Sequence, residues 1–440
     1  MPSDHRDWNA LAWTYLQSGQ SELALEAARR AHEGNRNNLG YLNTLRVAYG
    51  EIGELERAEA AFRKVLKRKP GSLDAVLNLA KALEKQERLP EALKLYERAL
   101  AMEPAYPKLA TNLARLYREC GGNAARALAL LERSARHIAG EDLALALASC
   151  DLELAGVDAA ASRLSRALAD HPDWVLARKA LAHMLLAAGR WREGWQEYRW
   201  RGARHGAPML NAPLPARLDG ERILLRGEQG LGDVLFFLRF APLLRARGGV
   251  VALACETKLH SILRQGGGLQ AVRALPPQDA GFLVGDLPAL LECSETPPAW
   301  PLSVADDERR GARARLGALG PAPYLAVTWR AGTDAVRARE FGEDRMSLMK
   351  AVPAAELGNA VRGWRGTAIL LQRGARNGEL AQFAEAFGAL AHDLSFLGND
   401  LAALLAVLAE LDEYATVSNT NVHLLAGLGR SARVLVPYPA

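Results

Sequence analysis

A glycine-rich loop with an acidic end lies near the middle of the chain. It reads Gly227-Glu-Gln-Gly-Leu-Gly-Asp233 and follows the apolar stretch Arg222–Arg226, which has the composition of a short strand. Glycines between a strand and a helix permit a tight turn and let backbone N–H groups face an anion, so the loop indicates phosphate nearby. Its spacing matches neither Gly-x-Gly-x-x-Gly nor the Walker pattern, which argues against nicotinamide binding and ATP hydrolysis.

Asp233, the last residue of this loop, admits two interpretations. A carboxylate in the first turn of a helix is favoured by the helix dipole, which would make Asp233 a structural residue. The same carboxylate at the edge of a cleft can act as a general base. The residue types alone leave both interpretations open.

The elements around the loop predict parallel sheets with crossover helices. A helix at Val234–Arg245 and a strand at Val250–Ala254 follow the loop. A second series has strands at Tyr324–Trp329, Thr367–Gln372, Tyr414–Ser418 and Arg433–Val436, and a helix from Leu401 capped by Asn399. Three prolines and an Arg-rich helix at Asp306–Leu316 separate the two series, so we place a boundary near residue 320. Two such halves facing one another form a cleft, since ligands bind at the carboxyl ends of these strands.

The first part of the chain is periodic. Six leucines stand 34 residues apart, at Leu11, Leu45, Leu79, Leu113, Leu147 and Leu181, and small residues recur beside them, at Ala12, Ala80, Ala114, Ala148 and Ala182. This pattern resembles tetratricopeptide repeats. The resemblance implies an α-helical solenoid over residues 1–205, with about six repeats and a protein or peptide bound on its concave face. In the fourth copy, Arg126 and Ile138 replace the expected alanine and proline, which predicts altered packing there.

A tryptophan-rich segment, Trp191–Trp200, ends the periodic part. Tryptophans at helical spacing can bind a ligand, but at the end of a solenoid they more often cover its apolar face or dock it onto the next domain. We expect docking. The stretch Pro208–Pro215, with three prolines and no periodicity, is interpreted as a linker.

Composition narrows the function classes. A net charge of +5 without a lysine or arginine block does not support a nucleic-acid surface. The four cysteines are far apart, which argues against a zinc site and a disulfide framework. The apolar runs are too short to span a membrane. We therefore expect a cytoplasmic protein.

A second resemblance concerns roughly residues 190 to 440. The glycine-rich loop and the following Val234-Leu-Phe-Phe-Leu-Arg-Phe-Ala-Pro-Leu resemble the opening of bacterial tetratricopeptide-linked glycosyltransferase-like domains and, more distantly, the heptosyltransferases. Later elements resemble the same family in the same order: Trp329-Arg-Ala-Gly332, Leu370-Leu-Gln372 and Asn419-Thr-Asn-Val-His-Leu-Leu-Ala-Gly427. The resemblance implies an α/β module of the GT-B type, with two Rossmann-like halves at residues 206–319 and 320–440. Such a module takes a nucleotide-diphosphate sugar as its donor substrate and binds no cofactor permanently.

The resemblance also assigns roles to single positions. Asp233 matches the aspartate thought to deprotonate the acceptor, and Thr420, His423 and Gly427 match the segment that holds the donor diphosphate at a helix N-terminus. A lone histidine would otherwise be interpreted as a half-buried helix residue that caps a neighbouring carbonyl. No metal ligand is expected. The residues predicted to bind the donor are Gln229, Gly230, Gly232, Trp329, Arg330, Gly332, Gln372, Asn419, Thr420, His423 and Gly427.

Three departures from the family pattern concern catalysis. Asn419 stands where the family has an aspartate, Arg330 is added to the Trp-x-Gly element, and few residues follow the last predicted strand. Whether the chain is an enzyme therefore stays open. One class is a metal-independent glycosyltransferase that modifies a protein or glycan held by the solenoid. The other is a catalytically inactive scaffold with a degenerate transferase domain.

Overall fold

The computed structural model describes residues 4–36, 38–51, 55–106, 108–201, 212–265, 267–274, 281–331, 351–376 and 378–436. The chain divides into two compact units, Met1–Ala188 and Gly189–Ala440. The helix at Trp191–Tyr198 belongs to the second unit, whereas the sequence pattern extends the repeats to residue 205. Gly332, one of the predicted donor-binding residues, lies outside the described residues.

The first unit is a helical solenoid in which consecutive helices pack on one another. Its described helices are α1 His5–Gln17, α2 Ser21–Gly34, α3 Leu39–Glu51, α4 Leu55–Arg68, α5 Leu73–Lys85, α6 Leu89–Met102, α7 Leu109–Glu119, α8 Ala124–Ser134, α9 Glu141–Ala155, α10 Val157–Asp170 and α11 Val175–Ala187. The recurring alanines from Ala12 to Ala182 are buried, because only a small side chain lets two helices approach closely. None of the described helices is long and apolar enough to cross a membrane.

The leucine column forms the centre of this solenoid. Leu45, Leu79, Leu113 and Leu181 are buried. Leu11 and Leu147 are half-buried. The period of the sequence therefore places one leucine of each repeat in the interior or at its edge.

The fourth repeat has a shorter second helix and an arginine in the alanine column. Helix α8 has 11 residues, against 14 in α4, α6 and α10. The guanidinium of Arg126 lies 4.3 Å from the centre of the Tyr117 ring and pairs with Glu97. Burial and the hydrogen bond to Glu97 raise the pKa of Tyr117 to about 12. Arg126 thus stays on the surface, whereas the adjacent Ala127 is buried in the core.

The second unit opens with α12, Trp191–Tyr198, and a first parallel sheet. Its strands are β1 Arg222–Arg226, β2 Val250–Cys255, β3 Ala271–Ala274 and β4 Phe282–Leu283, in the order β3-β2-β1-β4, and its helices are α13 Leu231–Leu238, α14 Ala241–Ala246, α15 His260–Gln265 and α16 Leu287–Leu290. The single helix predicted at Val234–Arg245 is divided into α13 and α14. The break precedes Pro242, which has no N–H and whose ring would clash with the preceding turn.

A second parallel sheet has the strand order β7-β6-β5-β8-β9. Its elements are α17 Asp306–Leu319, β5 Tyr324–Thr328, α18 Ala354–Ala360, β6 Thr367–Leu370, α19 Glu379–Phe387, β7 Ala391–Asp393, α20 Leu401–Glu410, β8 Glu413–Val417, α21 Thr420–Gly427 and β9 Arg433–Leu435. Helix α20 is capped by Asp400 and not by the predicted Asn399, because Asp400 Oδ1 accepts hydrogen bonds from the N–H groups of Ala402 and Ala403.

Both sheets change direction beside their first strand. The chain runs from β1 outward to β3 and then returns to place β4 on the other side of β1. In the same way β8 lies on the other side of β5 from β6 and β7. Such switch points are where open α/β sheets bind ligands. The glycine-rich loop follows β1 and the loop into α21 follows β8, so the fold brings both predicted loops to switch points.

Candidate functional site

The glycine-rich loop is closed by its own aspartate. Gly230 is the N-cap of α13, and its N–H donates to Asp233 Oδ2 at 3.0 Å. Gln229 adopts a positive φ of 59°, and its side-chain oxygen accepts from the Tyr198 hydroxyl at 3.3 Å. One oxygen of Asp233 thus stabilises the first turn of α13 by accepting from the Gly230 N–H. This contact agrees with a structural role for Asp233. Its carboxylate is half-buried and lies near the carboxyl end of β1.

Beneath the loop lies a buried ion cluster. Arg201 donates to Asp286 Oδ1 at 2.8 Å and also contacts Glu228, which accepts from the Gly285 N–H at 3.2 Å. The three charged side chains are 4% to 9% exposed. Burial alone lowers the pKa of Arg201, but Glu228 and Asp286 outweigh this effect and hold it above the ordinary value. Gly285 is required there, because a Cβ would lie 2.5 Å from Arg201 Nη2.

No sequence pattern indicated this cluster. Arg201 is 85 residues from Asp286 and 27 from Glu228, so no local pattern joins them. The signal that was present is the tryptophan-rich segment that Arg201 follows. Trp195 of this segment is buried with its ring 5.9 Å from that of Phe237 on α13, so α12 covers the helix that the loop begins.

The two predicted loops meet at Gly232. A Cβ on Gly232 would lie 3.1 Å from His423 Cδ2 and 3.4 Å from Thr420 Cα. The N-terminal turns of α13 and α21 therefore touch, and a larger residue at position 232 would have to push one of them back by a few tenths of an ångström. The His423 ring also contacts Phe236 edge to face, with 5.9 Å between the ring centres. The side chain of His423, a residue of α21, thus packs against α13.

A cavity of about 440 Å³ opens beside this contact, at the carboxyl ends of β5, β6 and β8. The predicted residues Arg330, Gln372, Asn419 and Thr420 line it. The described residues of its wall include two arginines, Arg330 and Arg373, and no carboxylate. Six uncharged side chains add hydrogen-bonding groups: Thr328, Gln372, Ser395, Asn419, Thr420 and Asn421. A wall of this composition favours an anionic ligand.

Gln372 organises the wall more than it offers groups to a ligand. Its Oε1 accepts from the N–H groups of Trp329 and Arg330 at 3.0 and 2.9 Å. Its Nε2 donates to the carbonyls of Arg330 and Arg373 at 3.2 and 2.9 Å. Gln372 therefore joins the loop after β5 to the loop after β6 and holds the backbone of Arg330 and Arg373 in place.

Arg330 already has an anionic partner. Its guanidinium donates to Glu379 Oε2 at 3.0 Å and to the Gly374 carbonyl at 2.9 Å. Burial would raise the pKa of Glu379, but hydrogen bonds from the Arg376 N–H and from Arg330 outweigh it and hold the pKa below its usual range. The exposed Arg373 is the other cation of the wall.

Asn419 caps α21 at the rim of the cavity. Its Oδ1 accepts from the N–H groups of Asn421 and Val422 at 3.0 and 3.3 Å. Its Nδ2 donates to Tyr414 and to Thr416, both of which are buried. An amide fits this position because it accepts on one side and donates on the other, which a carboxylate cannot do.

Two predicted residues lie in packed regions. Trp329 is 1% exposed and stacks on Phe383 at 5.7 Å. Gly427 packs against the segment 300–302, where a Cβ would lie 2.7 Å from Leu302. In the described ranges no group of three or more His, Cys, Asp or Glu side chains is placed to hold a metal ion.

The tetratricopeptide repeat family matches residues 9–72, 43–110 and 77–144. Among curated proteins, the chain is similar to Protein FlbA of Caulobacter vibrioides, with 28% identity over 382 residues that cover 76% of this chain. The chain spans only 62% of the length of that relative.

Solved structures with similar folds include a thermophilic TPR protein of Thermus thermophilus, at 22% identity over 41% of this chain and 99% of that chain, with a TM-score of 0.34. Another is Pseudomonas aeruginosa pilF, at 20% identity over 44% and 90%, with a TM-score of 0.37. The family match and the helices of the first unit agree: residues 9–144 are tetratricopeptide repeats, a fold through which proteins bind one another.

Proposed function

We propose that the second unit binds a nucleotide-diphosphate sugar in the cavity at the end of the second sheet, and that the repeats hold a protein acceptor for the sugar. The observation that carries this proposal is the wall of the cavity, which in its described part has two arginines and no carboxylate. Its position at the switch point between β5 and β8 supports it, because nucleotides bind at such places. The GT-B arrangement implied by the resemblance is part of the same proposal.

The proposal gives a role to each of four residues near the cavity. Thr420 and Asn421, at the first turn of α21, face the diphosphate together with Arg373. Asp233 takes the proton of the acceptor hydroxyl, so that this oxygen attacks the sugar carbon while the diphosphate leaves. Positive groups around the diphosphate stabilise the charge that develops as it leaves.

A scaffold without turnover is the second candidate. It is favoured by the bond between Asp233 and the Gly230 N–H, which gives the carboxylate a purely structural use. In this case the cavity keeps its ligand and the repeats keep their partner, but no sugar is transferred.

A cytoplasmic location belongs to the same proposal. All four cysteines are free thiols, as expected in a reducing compartment. Burial raises the pKa of Cys293 to about 11, so this thiol is protonated and unreactive at neutral pH.

A thermal-shift screen of the full chain with UDP-, ADP- and GDP-linked sugars tests donor binding. A ligand of the native state raises the melting temperature of the unit that binds it. The variant Arg373→Gln should lose most of that increase, because it removes a cation from the wall. The matched control is Arg313→Gln, which removes an exposed arginine that pairs with Glu410 on α20. No increase with any of the three nucleotide sugars would remove the donor site and leave a protein scaffold.

A further inference from the structure

In a hydrogen-bond network behind the cavity, the donor and the acceptor of each bond can be assigned. Because Asn419 Oδ1 accepts from backbone N–H groups, its Nδ2 must point to the hydroxyls of Tyr414 and Thr416, at 3.1 and 2.7 Å. The Thr416 hydroxyl donates onward to the Val417 carbonyl at 2.9 Å. Every hydrogen of Asn419 and Thr416 is therefore assigned.

The Tyr414 hydroxyl has three neighbours in this network. A phenolic oxygen carries one hydrogen and accepts two. The side-chain N–H groups of Asn419 and Asn421 donate to it at 3.1 and 2.9 Å and use both acceptor positions. The hydrogen of Tyr414 therefore goes to its third neighbour, Thr328 Oγ1, at 2.8 Å. Tyr414 is 1% exposed, so solvent does not offer another arrangement.

Thr328 consequently accepts from Tyr414 and keeps its own hydrogen. In the described part of the chain, Tyr414 is the hydrogen-bond partner of the Thr328 side chain. Thr328 lies at the last position of β5 and lines the cavity. A buried donor left without an acceptor is costly, so the cavity has a place for an acceptor atom beside Thr328.

We propose that the Thr328 hydroxyl donates a hydrogen bond to a phosphoryl oxygen of the ligand, and that Asn419 and Tyr414 are positioning residues that set this direction. The proposal rests on the proposed function, since it concerns the same cavity. Phosphoryl oxygens only accept hydrogen bonds, and the two arginines favour their charge. The accepting atom is therefore part of the diphosphate.

An aspartate at position 419 reverses the network. Its second oxygen accepts where the amide donated, so the hydrogen of Tyr414 turns toward it. Thr328 then donates to Tyr414 and no longer to the ligand. The asparagine that departs from the family pattern is, on this account, the residue that makes Thr328 a donor.

Isothermal titration calorimetry on the full chain tests the proposal, with the tightest binder among UDP, ADP and GDP as the probe. Thr328→Val should weaken binding about tenfold to a hundredfold, as for a lost hydrogen bond to a charged group. Thr328→Ser, which keeps the hydroxyl, should restore most of the affinity. Thr367→Val is the matched control, because Thr367 is a buried threonine of the same sheet that neither lines the cavity nor joins this network; it should change the affinity less than threefold.

A double-mutant cycle separates the effect of hydrogen-bond direction from the effect of the negative charge that Asn419→Asp adds. Asn419→Asp should weaken binding through both effects, but in that background Thr328→Val should cost less than twofold, because Thr328 no longer donates to the ligand. Equal losses from Thr328→Val in the two backgrounds would overturn the role of Asn419. Unchanged binding by Thr328→Val in the native background would overturn the role of Thr328.

These failures differ from failure of the proposed function, in which the unaltered chain binds none of the three nucleotides and both proposals fall. Thermal melting of each variant without ligand checks that it is folded.

Discussion

The buried cluster under the glycine-rich loop predicts a large loss of stability when its cation is removed. Arg201→Met keeps an unbranched side chain but removes the guanidinium that pairs with the buried carboxylates of Glu228 and Asp286, which are 9% and 4% exposed. Breaking a buried pair from one side costs about 3–5 kcal/mol, because the remaining charge is neither solvated nor compensated. Two carboxylates lose the guanidinium here, so we expect the upper part of that range.

Urea denaturation monitored by tryptophan fluorescence measures the effect. Trp195 of α12 is buried against Phe237 of α13, so the second unit contributes its own signal. With a slope of about 2–3 kcal/mol per molar urea, a loss of about 4–5 kcal/mol moves the midpoint of this unit by roughly 1.5–2.5 M. The triple variant, which adds Glu228→Gln and Asp286→Asn, should recover part of the loss, since the two side chains that had paired with Arg201 then carry no charge.

Two outcomes would refute this reasoning. A shift of less than about 1 kcal/mol for Arg201→Met would show that the cluster is solvated in solution. An equal loss in the triple variant would show that packing of the arginine, and not its charge, stabilises the loop.

Three other predictions concern separate parts of the molecule. Leu79→Ala should destabilise the first unit by about 2–5 kcal/mol, measured by urea denaturation, because Leu79 is 3% exposed and leaves a cavity; a loss below about 1 kcal/mol would contradict its place in the core. Asp233→Asn should lower turnover by roughly 10²–10⁴-fold with donor binding kept, since the amide oxygen can still accept from Gly230; unchanged turnover would reject Asp233 as the base. The depressed pKa of Glu379 contributes stability that is present above the ordinary carboxyl pKa and lost as the pH falls through the folded value. Arg330→Gln should therefore make the melting temperature less sensitive to acidification below about pH 4.5, and an unchanged acid slope would count against the pair.

Apolar composition predicted the central strands because they are buried on both faces. The bounds of β1, β5 and β8 differ from the predicted ones by at most one residue at each end. The short strands β3, β4 and β7, of 2 to 4 residues, carry no such pattern, so the sequence did not reveal them. Local composition therefore identified the middle of each sheet and, of the edge strands, only β9.

Residues of the site could be predicted where polar or charged side chains lie at the end of a strand. Gln372 ends a predicted strand, Arg330, Asn419 and Thr420 follow the ends of two others, and the fold brings all four to one cavity. Thr328 was not singled out, because a threonine inside an apolar strand reads as part of the sheet. Its role depends on a neighbour 86 residues away, which only the fold supplies.

The contact at Gly232 has an electrostatic consequence. It brings together the N-terminal ends of α13 and α21, each of which carries about half a positive charge. The carboxylate of Asp233 neutralises the end of α13, whereas the amide of Asn419 caps α21 without adding charge. Of the two touching ends, α21 alone keeps its positive potential, and it faces the cavity. The two caps therefore give the touching helix ends unequal potentials, which favours an anion on the α21 side of the contact.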